Sequence, residues 1–310
     1  MKQYLDQLRE IIDHGETRTD RTGVGTRSIF GMQTRYDLRE GFPLLTNRKM
    51  NFSTIPKELC WFLRAETNIK TLGCKIWNEW SRPDGELGPI YGAQWRDWQG
   101  VSSDEEDNRR YSFDQIEDLI NRLKIDPWSR RHVVSAWNVA QVYEMVLSPC
   151  HTMFQCYASK IPVCISMIGD PDPKDFYYNE TRKFYLPRRP EGAPEYFLDL
   201  QLYQRSGDML LGVPTNIASY SLLLMLLARE VNMIPRFFIH TLGDAHVYLN
   251  HLEGAQELLR REPLPLPRVE IANKPLPFPG GLRDGSMLEP EDFKLVGYES
   301  HAPIKFEIAV

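Results

Sequence analysis

The amino-acid sequence predicts a single α+β domain over residues 1–310. Segments with helical periodicity and segments with strand alternation both occur along the chain. No internal repeat, low-complexity tract or break in composition marks a domain boundary. The content of 42% hydrophobic and 25% charged residues is ordinary for a globular protein. A chain of this length can bury a substantial core without disulfides or metal.

The first half of the chain contains helical patterns separated by strand-like and loop-like segments. Residues 1–15 form an amphipathic helix, because Tyr4, Leu8 and Ile11 fall on one face. The elements that follow are a strand after the glycine-spaced segment 20–31, a buried helix over Ile55–Leu63, an ordered loop region over Lys75–Trp98, and a helix capped by Ser112 that ends before Asp126.

The second half alternates strands and helices around one long insertion. Its elements are a strand over His132–Trp137, a short helix over Gln141–Leu147, a turn at 148–151, a strand over Met153–Tyr157, a strand over Leu198–Tyr203, a helix over Asn216–Val231, a strand over Arg236–Leu242, a helix over His246–Arg261 and an extended tail over 303–310. The insertion spans about 160–197, where a loop or hairpin over 168–196 lies between strand patterns.

Net charge, cysteine spacing and the length of apolar runs argue against several classes of protein. A net charge of -5 argues against a generic nucleic-acid binder, which usually carries a basic excess. The five cysteines form no CxxC pair and no Cys/His metal spacing, so we expect reduced thiols and no metal. The longest apolar run, Leu222–Ala228, is too short for a membrane span, and the first residues lack a signal-peptide core. We therefore expect the cytoplasm, or a host cytoplasm if the chain is viral.

Cys150 is the first candidate for chemistry, because it lies in a proline turn beside His151. By itself this pattern favours a buried, unreactive thiol. A catalytic thiol needs a lowered pKa, which nearby cations usually supply. Arg21, Arg130–Arg131 and Arg205 are candidate cations, and arginines at element ends with a hydroxyl such as Ser206 suit a phosphate dianion. Each could equally be a solvated surface residue.

Several polar residues each allow a structural and a functional interpretation. Asn216 could be a helix N-cap, or an amide that pairs with a uracil edge. Asp244 could be a cap, while His246 and Tyr248 could bind a sugar hydroxyl. Glu58 lies in an apolar helix, where a charge is costly without a partner or a role.

Seven segments, taken together, resemble the thymidylate synthase family. They are DRTGVGTRSIFG, GPIYGAQWRDW, SRRHVVSAWN, SPCH, QLYQRSGDM, LGVPTNIASY and HTLGDAHVYLNH, and they occur in the family's order. The resemblance extends from residue 1 to residue 310 apart from the insertion. It implies a large twisted mixed β-sheet with helices packed on one face. It also implies a homodimer in which sheets pack back to back and arginines are shared across the interface.

The resemblance also implies roles for individual residues. Cys150 is the nucleophile, Glu58 organises water and proton transfer, and Tyr91 and His151 support the site. The residues implied for dUMP are Arg21, Arg205 and Ser206 on the phosphate, Arg130 and Arg131 from the partner subunit, Asn216 on the uracil, and His246 and Tyr248 on the deoxyribose. The residues implied for folate are Ile76, Trp77, Trp80, Leu147, Asp208, Gly212, Thr215 and Ala309.

The chemistry that the resemblance implies is a one-carbon transfer to C5 of dUMP. Addition of the thiolate at C6 makes C5 nucleophilic, and 5,10-methylenetetrahydrofolate then supplies both the carbon and a hydride. The products are dTMP and dihydrofolate. The terminal segment, residues 306–310, resembles the family's closing lid.

The sequence departs from the family pattern at Thr215, where these synthases normally have phenylalanine, and at the insertion; Asn78 in place of aspartate is minor. Thr215 motivates an alternative, a dUMP hydroxymethylase in which water quenches the methylene intermediate. Trp77, Trp80 and the intact tail favour the synthase, and Asn216 favours uracil over cytosine. A catalytically silent family member is a third possibility, although Cys150 and the arginines are present.

Overall fold

A computed structural model describes residues 1–20, 22–101, 110–162, 176–178, 185–187, 192–281 and 283–308. The helices are α1 (Lys2–His14), α2 (Thr54–Leu63), α3 (Gly92–Arg96), α4 (Gln115–Ile125), α5 (Gly212–Glu230) and α6 (Leu252–Arg260). The strands are β1 (Glu16–Arg18), β2 (Thr26–Asp37), β3 (Trp98–Val101), β4 (Arg110–Phe113), β5 (Val133–Ser135), β6 (His151–Lys160), β7 (Phe176–Tyr178), β8 (Tyr185–Pro187), β9 (Tyr196–Asp208), β10 (Ile234–Tyr248), β11 (Arg268–Ile271) and β12 (Phe293–Val296).

The main sheet has six strands in the order β1-β2-β10-β9-β6-β5. Strands β9 and β10 run parallel, while the other neighbouring pairs run antiparallel. The predicted large mixed sheet is therefore confirmed. The parallel pair requires a crossover, and α5 supplies it between β9 and β10.

Helix α5 lies at the centre of the core. Its leucine-rich sequence is apolar around most of the circumference, and such a helix is stable only when it is buried. It packs against β9 and β10, while α1 packs its apolar stripe against β2. On the opposite face of β6, Met153 and Tyr157 are exposed, whereas Phe154 and Cys156 between them are buried. The period of two along a strand thus separates a helix-covered face from an uncovered one.

Several predicted element boundaries were wrong. The N-cap of α4 is Asp114, whose Oδ1 accepts the Glu117 N–H at 2.9 Å. Ser112, the predicted cap, instead lies in β4 and pairs with Gln99 of β3. Only the single 3-10 turn Val142–Glu144 forms where a short helix was expected. Helices α5 and α6 also begin at residues other than the predicted ones.

Helix α5 begins four residues before Asn216, because Pro214 is tolerated in a first turn whose N–H groups lack helical partners. Strand β10 continues through Tyr248, paired with β9 as far as His246 and with β2 to its end, so α6 starts only at Leu252. Residues 246–248 are therefore strand, where we predicted helix.

The insertion is described only in part. Strands β7 and β8 pair as an antiparallel two-stranded ribbon, which agrees with the predicted hairpin. The remaining residues between 163 and 191 lie outside the described part of the chain. No helix in the described ranges is long and apolar enough to cross a membrane.

Candidate active site

Cys150 lies in a turn that two other elements hold in place. Its N–H donates to the hydroxyl oxygen of Tyr91 at 2.9 Å, and its carbonyl accepts the Arg205 N–H at 2.8 Å. The turn joins Pro149 to β6, where the pairing with β9 is shifted between His151 and Met153. The thiol is free and half-buried. The main chain around this sulfur is therefore fixed from both sides.

Arg205 carries the positive charge next to this turn. Its Nε donates to the Pro149 carbonyl at 3.0 Å, and its Nη2 donates to the Ser148 carbonyl at 2.8 Å. The guanidinium also lies 5.7 Å from the Trp137 ring centroid. Within the described residues it forms no ion pair with a carboxylate. Neutral carbonyls orient the side chain but leave its charge uncompensated, which suits an anionic ligand.

The pKa of the Cys150 thiol is raised above its ordinary value, because burial outweighs the opposing charge of Arg205. The expectation of a lowered pKa for the Cys150 thiol is wrong for this chain. A half-buried thiol beside one cation is desolvated more than it is stabilised as a thiolate.

Tyr91 reaches Cys150 through a strained main chain. Its φ of 22° is unusual for a residue with a side chain, and it directly precedes α3. A Cβ on Gly92 would lie 2.3 Å from the Phe62 carbonyl oxygen of α2, so only glycine permits this approach. The close contact between α2 and α3 sets the position of the Tyr91 hydroxyl under the Cys150 turn.

Glu58 is a buried carboxyl on α2, with one hydrogen-bond partner among the described residues. The Trp77 indole N–H donates to its Oε1 at 2.7 Å. Burial raises the pKa of Glu58 to about 7, which this hydrogen bond only partly offsets. Trp77 packs edge-on against Trp80 at 5.8 Å, and the buried Trp80 indole N–H has no hydrogen-bond partner among the described residues.

Asn216 lies inside α5, so it is not an N-cap. Its Oδ1 accepts from Gln204 Nε2 at 3.1 Å, and Gln204 in turn contacts His240 at 2.9 Å. His151 lies beside this group, and burial lowers its pKa to about 4 although Asn216 partly offsets the effect. Sequence reasoning missed Gln204 and His240. Only the alternation of β9 and β10 could have indicated that both point to the buried face.

Asp208 and His246 face each other across the parallel pair β9–β10. Asp208 Oδ1 accepts the N–H groups of Leu210 at 2.9 Å and Leu211 at 3.2 Å, just before α5 begins. Burial lowers the pKa of His246, but the hydrogen bond to Asp244 and the charge of Asp208 outweigh it, so the pKa is raised. Asp244 binds the His246 ring at 3.0 Å, so it is not a cap.

The other predicted site residues fall into three groups. Ser206 lies on β9 and pairs with Asp244 of β10, Tyr248 ends β10, and Gly212 begins α5. Thr215 is half-buried, and its hydroxyl donates to the Leu211 carbonyl at 3.4 Å. Ile76 and Leu147 are partly buried against the core.

Arg130 and Arg131 do not join the Cys150 cluster through any hydrogen bond or ion pair within the described residues. Both are exposed, in the segment before β5. Arg21 and Ala309 lie outside the described residues. The neighbouring Asp20 accepts the Gly25 N–H at its Oδ1, at 2.8 Å.

The tail reaches back to α6. The His251 ring nitrogen Nε2 lies 2.8 Å from the Glu307 carbonyl, and the Phe306 ring packs on His251 at 5.1 Å. A Cβ on Gly254 would lie 2.5 Å from the Phe306 ring. The tail therefore rests on a surface that only a glycine leaves open.

The cluster combines a thiol, an uncompensated guanidinium, a buried carboxyl near neutral pKa and an ordered amide. No group of three or more potential metal ligands occurs among the described residues. Such a cluster can add a sulfur to an electron-poor ring and move protons beside it. Together with the mixed sheet, it is the site of an α+β transferase.

Comparison with known proteins identifies the family. The family model described as thymidylate synthase matches residues 2–310. The chain is 43% identical to the thymidylate synthase of Mesoplasma florum, and the alignment covers 100% of both chains. The chain belongs to the thymidylate synthase family.

Proposed function

We propose that this chain is a thymidylate synthase, which converts dUMP and 5,10-methylenetetrahydrofolate into dTMP and dihydrofolate. The observation that carries this proposal is the Cys150 turn, held between Tyr91 and Arg205 in a chain that the family model matches over residues 2–310. Cys150 is the proposed nucleophile, and its neighbours supply charge, proton transfer and orientation.

The nucleotide would lie with its phosphate at Arg205 and Ser206, together with Arg21. Arg205 is suited to a dianion because its charge has no described carboxylate partner. His246 and Tyr248 would bind the deoxyribose hydroxyl, since they end the same strand. Asn216 would bind the uracil edge, because its amide reaches the site from α5.

Cys150 Sγ would add to C6 of the uracil, and negative charge would then develop on the oxygen at C4. An amide N–H from Asn216 can stabilise that charge. With a pKa of about 7, Glu58 can both hold and release a proton at physiological pH, directly or through water. Methylenetetrahydrofolate, when bound, supplies the one-carbon unit and the hydride.

The folate would contact Trp77, Trp80, Leu147, Ile76, Asp208, Gly212, Thr215 and Ala309. The residues present fit such a group, because two tryptophans provide an aromatic wall and the buried Trp80 N–H lacks a described partner. That indole nitrogen can donate to a polar atom of the pterin ring or to an intervening water.

We also propose a homodimer that uses the uncovered face of the sheet. Met153, Tyr157 and Val133 are exposed on or beside β6, and isolated sheets rarely leave such side chains in water. Arg130 and Arg131, which have no described acidic partner, would reach the phosphate in the partner subunit. Size-exclusion chromatography with light scattering should give twice the 36.1 kDa chain mass.

Thr215 supports a second candidate function, hydroxymethylation of dUMP. A threonine fills less of the folate pocket than phenylalanine and could admit water to the methylene carbon. Its hydroxyl is directed to the Leu211 carbonyl, which leaves it less available to hold that water. Mass analysis of the nucleotide product separates dTMP from 5-hydroxymethyl-dUMP, and dihydrofolate absorbance reports the same distinction.

The nucleophile is tested with 5-fluoro-dUMP and methylenetetrahydrofolate, which should form a stable covalent complex that survives denaturation. Cys150→Ser should abolish the complex. The matched control is Cys74→Ser, because Cys74 is also a half-buried free thiol but is not part of the Cys150 turn. A complex that persists in Cys150→Ser contradicts the assignment of the nucleophile, and a chain that forms none contradicts the proposed activity.

A further inference from the structure

Three buried side chains from three elements form a hydrogen-bonded row beside the proposed uracil site. His240 on β10 lies 2.9 Å from Gln204 Oε1 on β9, and Gln204 Nε2 donates to Asn216 Oδ1 on α5 at 3.1 Å. His240 is 0% exposed and Gln204 is 3% exposed, so water does not compete for these groups. We call His240, Gln204 and Asn216 the amide relay.

The main-chain carbonyl of Ser206 sets the direction of the amide relay. It accepts a hydrogen bond from Gln204 Nε2 at 2.9 Å, and a carbonyl oxygen cannot donate. The amide nitrogen of Gln204 must therefore face Ser206 and Asn216, and the amide oxygen must face His240. His240 consequently has to present Nε2–H as a donor, which fixes its tautomer.

This direction determines which atom of Asn216 is left for the ligand. Gln204 donates to Oδ1 of Asn216 and so fixes which end of the amide is the oxygen; Nδ2, at the other end, is the donor offered to the pyrimidine. Uracil has an acceptor oxygen at C4, whereas cytosine has a donor amino group there. An amide held in this orientation binds uracil and opposes cytosine.

We propose that His240 is a positioning residue that selects uracil over cytosine by anchoring the amide relay. The proposal rests on the proposed role of Asn216 in binding the base. Without the His240 donor, Gln204 Oε1 would be a buried acceptor with no partner. The Gln204 side chain would then rotate to bring Oε1 to another donor. Asn216 would then be free to present either end of its amide.

His240 suits this role because it stays neutral. Burial, together with the neighbouring His151, lowers its pKa to about 3. Its Nδ1 has no hydrogen-bond partner among the described residues. A neutral ring with Nε2–H provides one donor in one direction, whereas a hydroxyl group could donate or accept and would leave the direction open.

The test compares the dissociation constants of dUMP and dCMP by calorimetry for the wild-type protein and for His240→Phe. Loss of a buried partner should reduce the preference for dUMP by between about 5-fold and about 150-fold. His240→Gln, whose amide nitrogen can occupy the Nε2 position, should restore the preference. The control Phe238→Leu alters the neighbouring core, 5.5 Å from the His240 ring, and should keep the preference unchanged.

Each outcome bears on a separate claim. A wild-type protein that binds dUMP and dCMP equally contradicts the proposed function, whatever His240 does. A wild type that discriminates and a His240→Phe variant that discriminates equally well overturn the role of His240. If His240→Phe does not fold, ¹⁵N spectra of the histidine-labelled wild type still decide the matter. The Nε2–H tautomer is expected, and an Nδ1–H tautomer would overturn the proposal.

Discussion

Glu58 should make the protein lose stability as the pH rises through neutrality, and Glu58→Gln should remove that loss. Burial raises the carboxyl pKa from its ordinary value of 4.5 to about 7. A raised pKa means that the folded chain holds the proton more tightly than the unfolded chain. The resulting stability is complete below pH 4.5 and disappears as the pH passes through about 7. At about 1.36 kcal/mol per pKa unit, protonated Glu58 contributes about 3 kcal/mol to the free energy of unfolding at low pH.

The assay is urea unfolding at fixed protein concentration, because the stability of the proposed dimer would depend on concentration. Between about pH 5.5 and about pH 8.5, Glu58→Gln should gain about 2 kcal/mol relative to the wild type. The exposed Glu79, which lies in the same loop as Trp77, provides the control, and Glu79→Gln should show no pH-dependent difference. A constant difference in unfolding free energy between Glu58→Gln and wild type across this range would mean that Glu58 does not titrate there.

Three further substitutions test the Cys150 turn, the contact between the tail and α6, and the proposed folate contact of Thr215. Tyr91→Phe leaves the Cys150 N–H without its acceptor, so the free energy of unfolding should fall by about 1–3 kcal/mol in urea titrations; an unchanged midpoint would contradict this. Gly254→Ala puts a Cβ against Phe306, so steady-state kinetics should show a KM for folate raised roughly fivefold with the KM for dUMP unchanged. Thr215→Phe should lower the KM for folate about two- to tenfold through aromatic contact and raise the dTMP share, and an equal product ratio would remove the water-access argument.

Local patterns were sufficient to identify the elements that pack by their own periodicity. The helix at residues 2–14 and the helix that contains Glu58 were both predicted, because apolar spacing is decided within each segment. The first residues of α5 and α6 were not predicted correctly, because they depend on how far β9 and β10 remain paired. Pairing between residues far apart in sequence overrides local preference at such ends.

The sequence segments and the family resemblance were enough to propose Cys150, Arg205, Glu58 and Asn216 as residues of the site. Their protonation and their contacts follow only from the packed fold. The raised pKa of Glu58 and of the Cys150 thiol arises from burial, and burial depends on what other elements cover them.

The amide relay shows most clearly which contacts the sequence could not indicate. Gln204 lies within a segment that carried the resemblance, yet nothing in that segment indicates that it touches His240, 36 residues away. The contact exists because β9 and β10 run parallel with a particular register, which brings the two side chains to one buried face. Hydrogen-bond direction is a property of neighbours in space, so the sequence could supply the donors and acceptors while the fold alone determined their pairing.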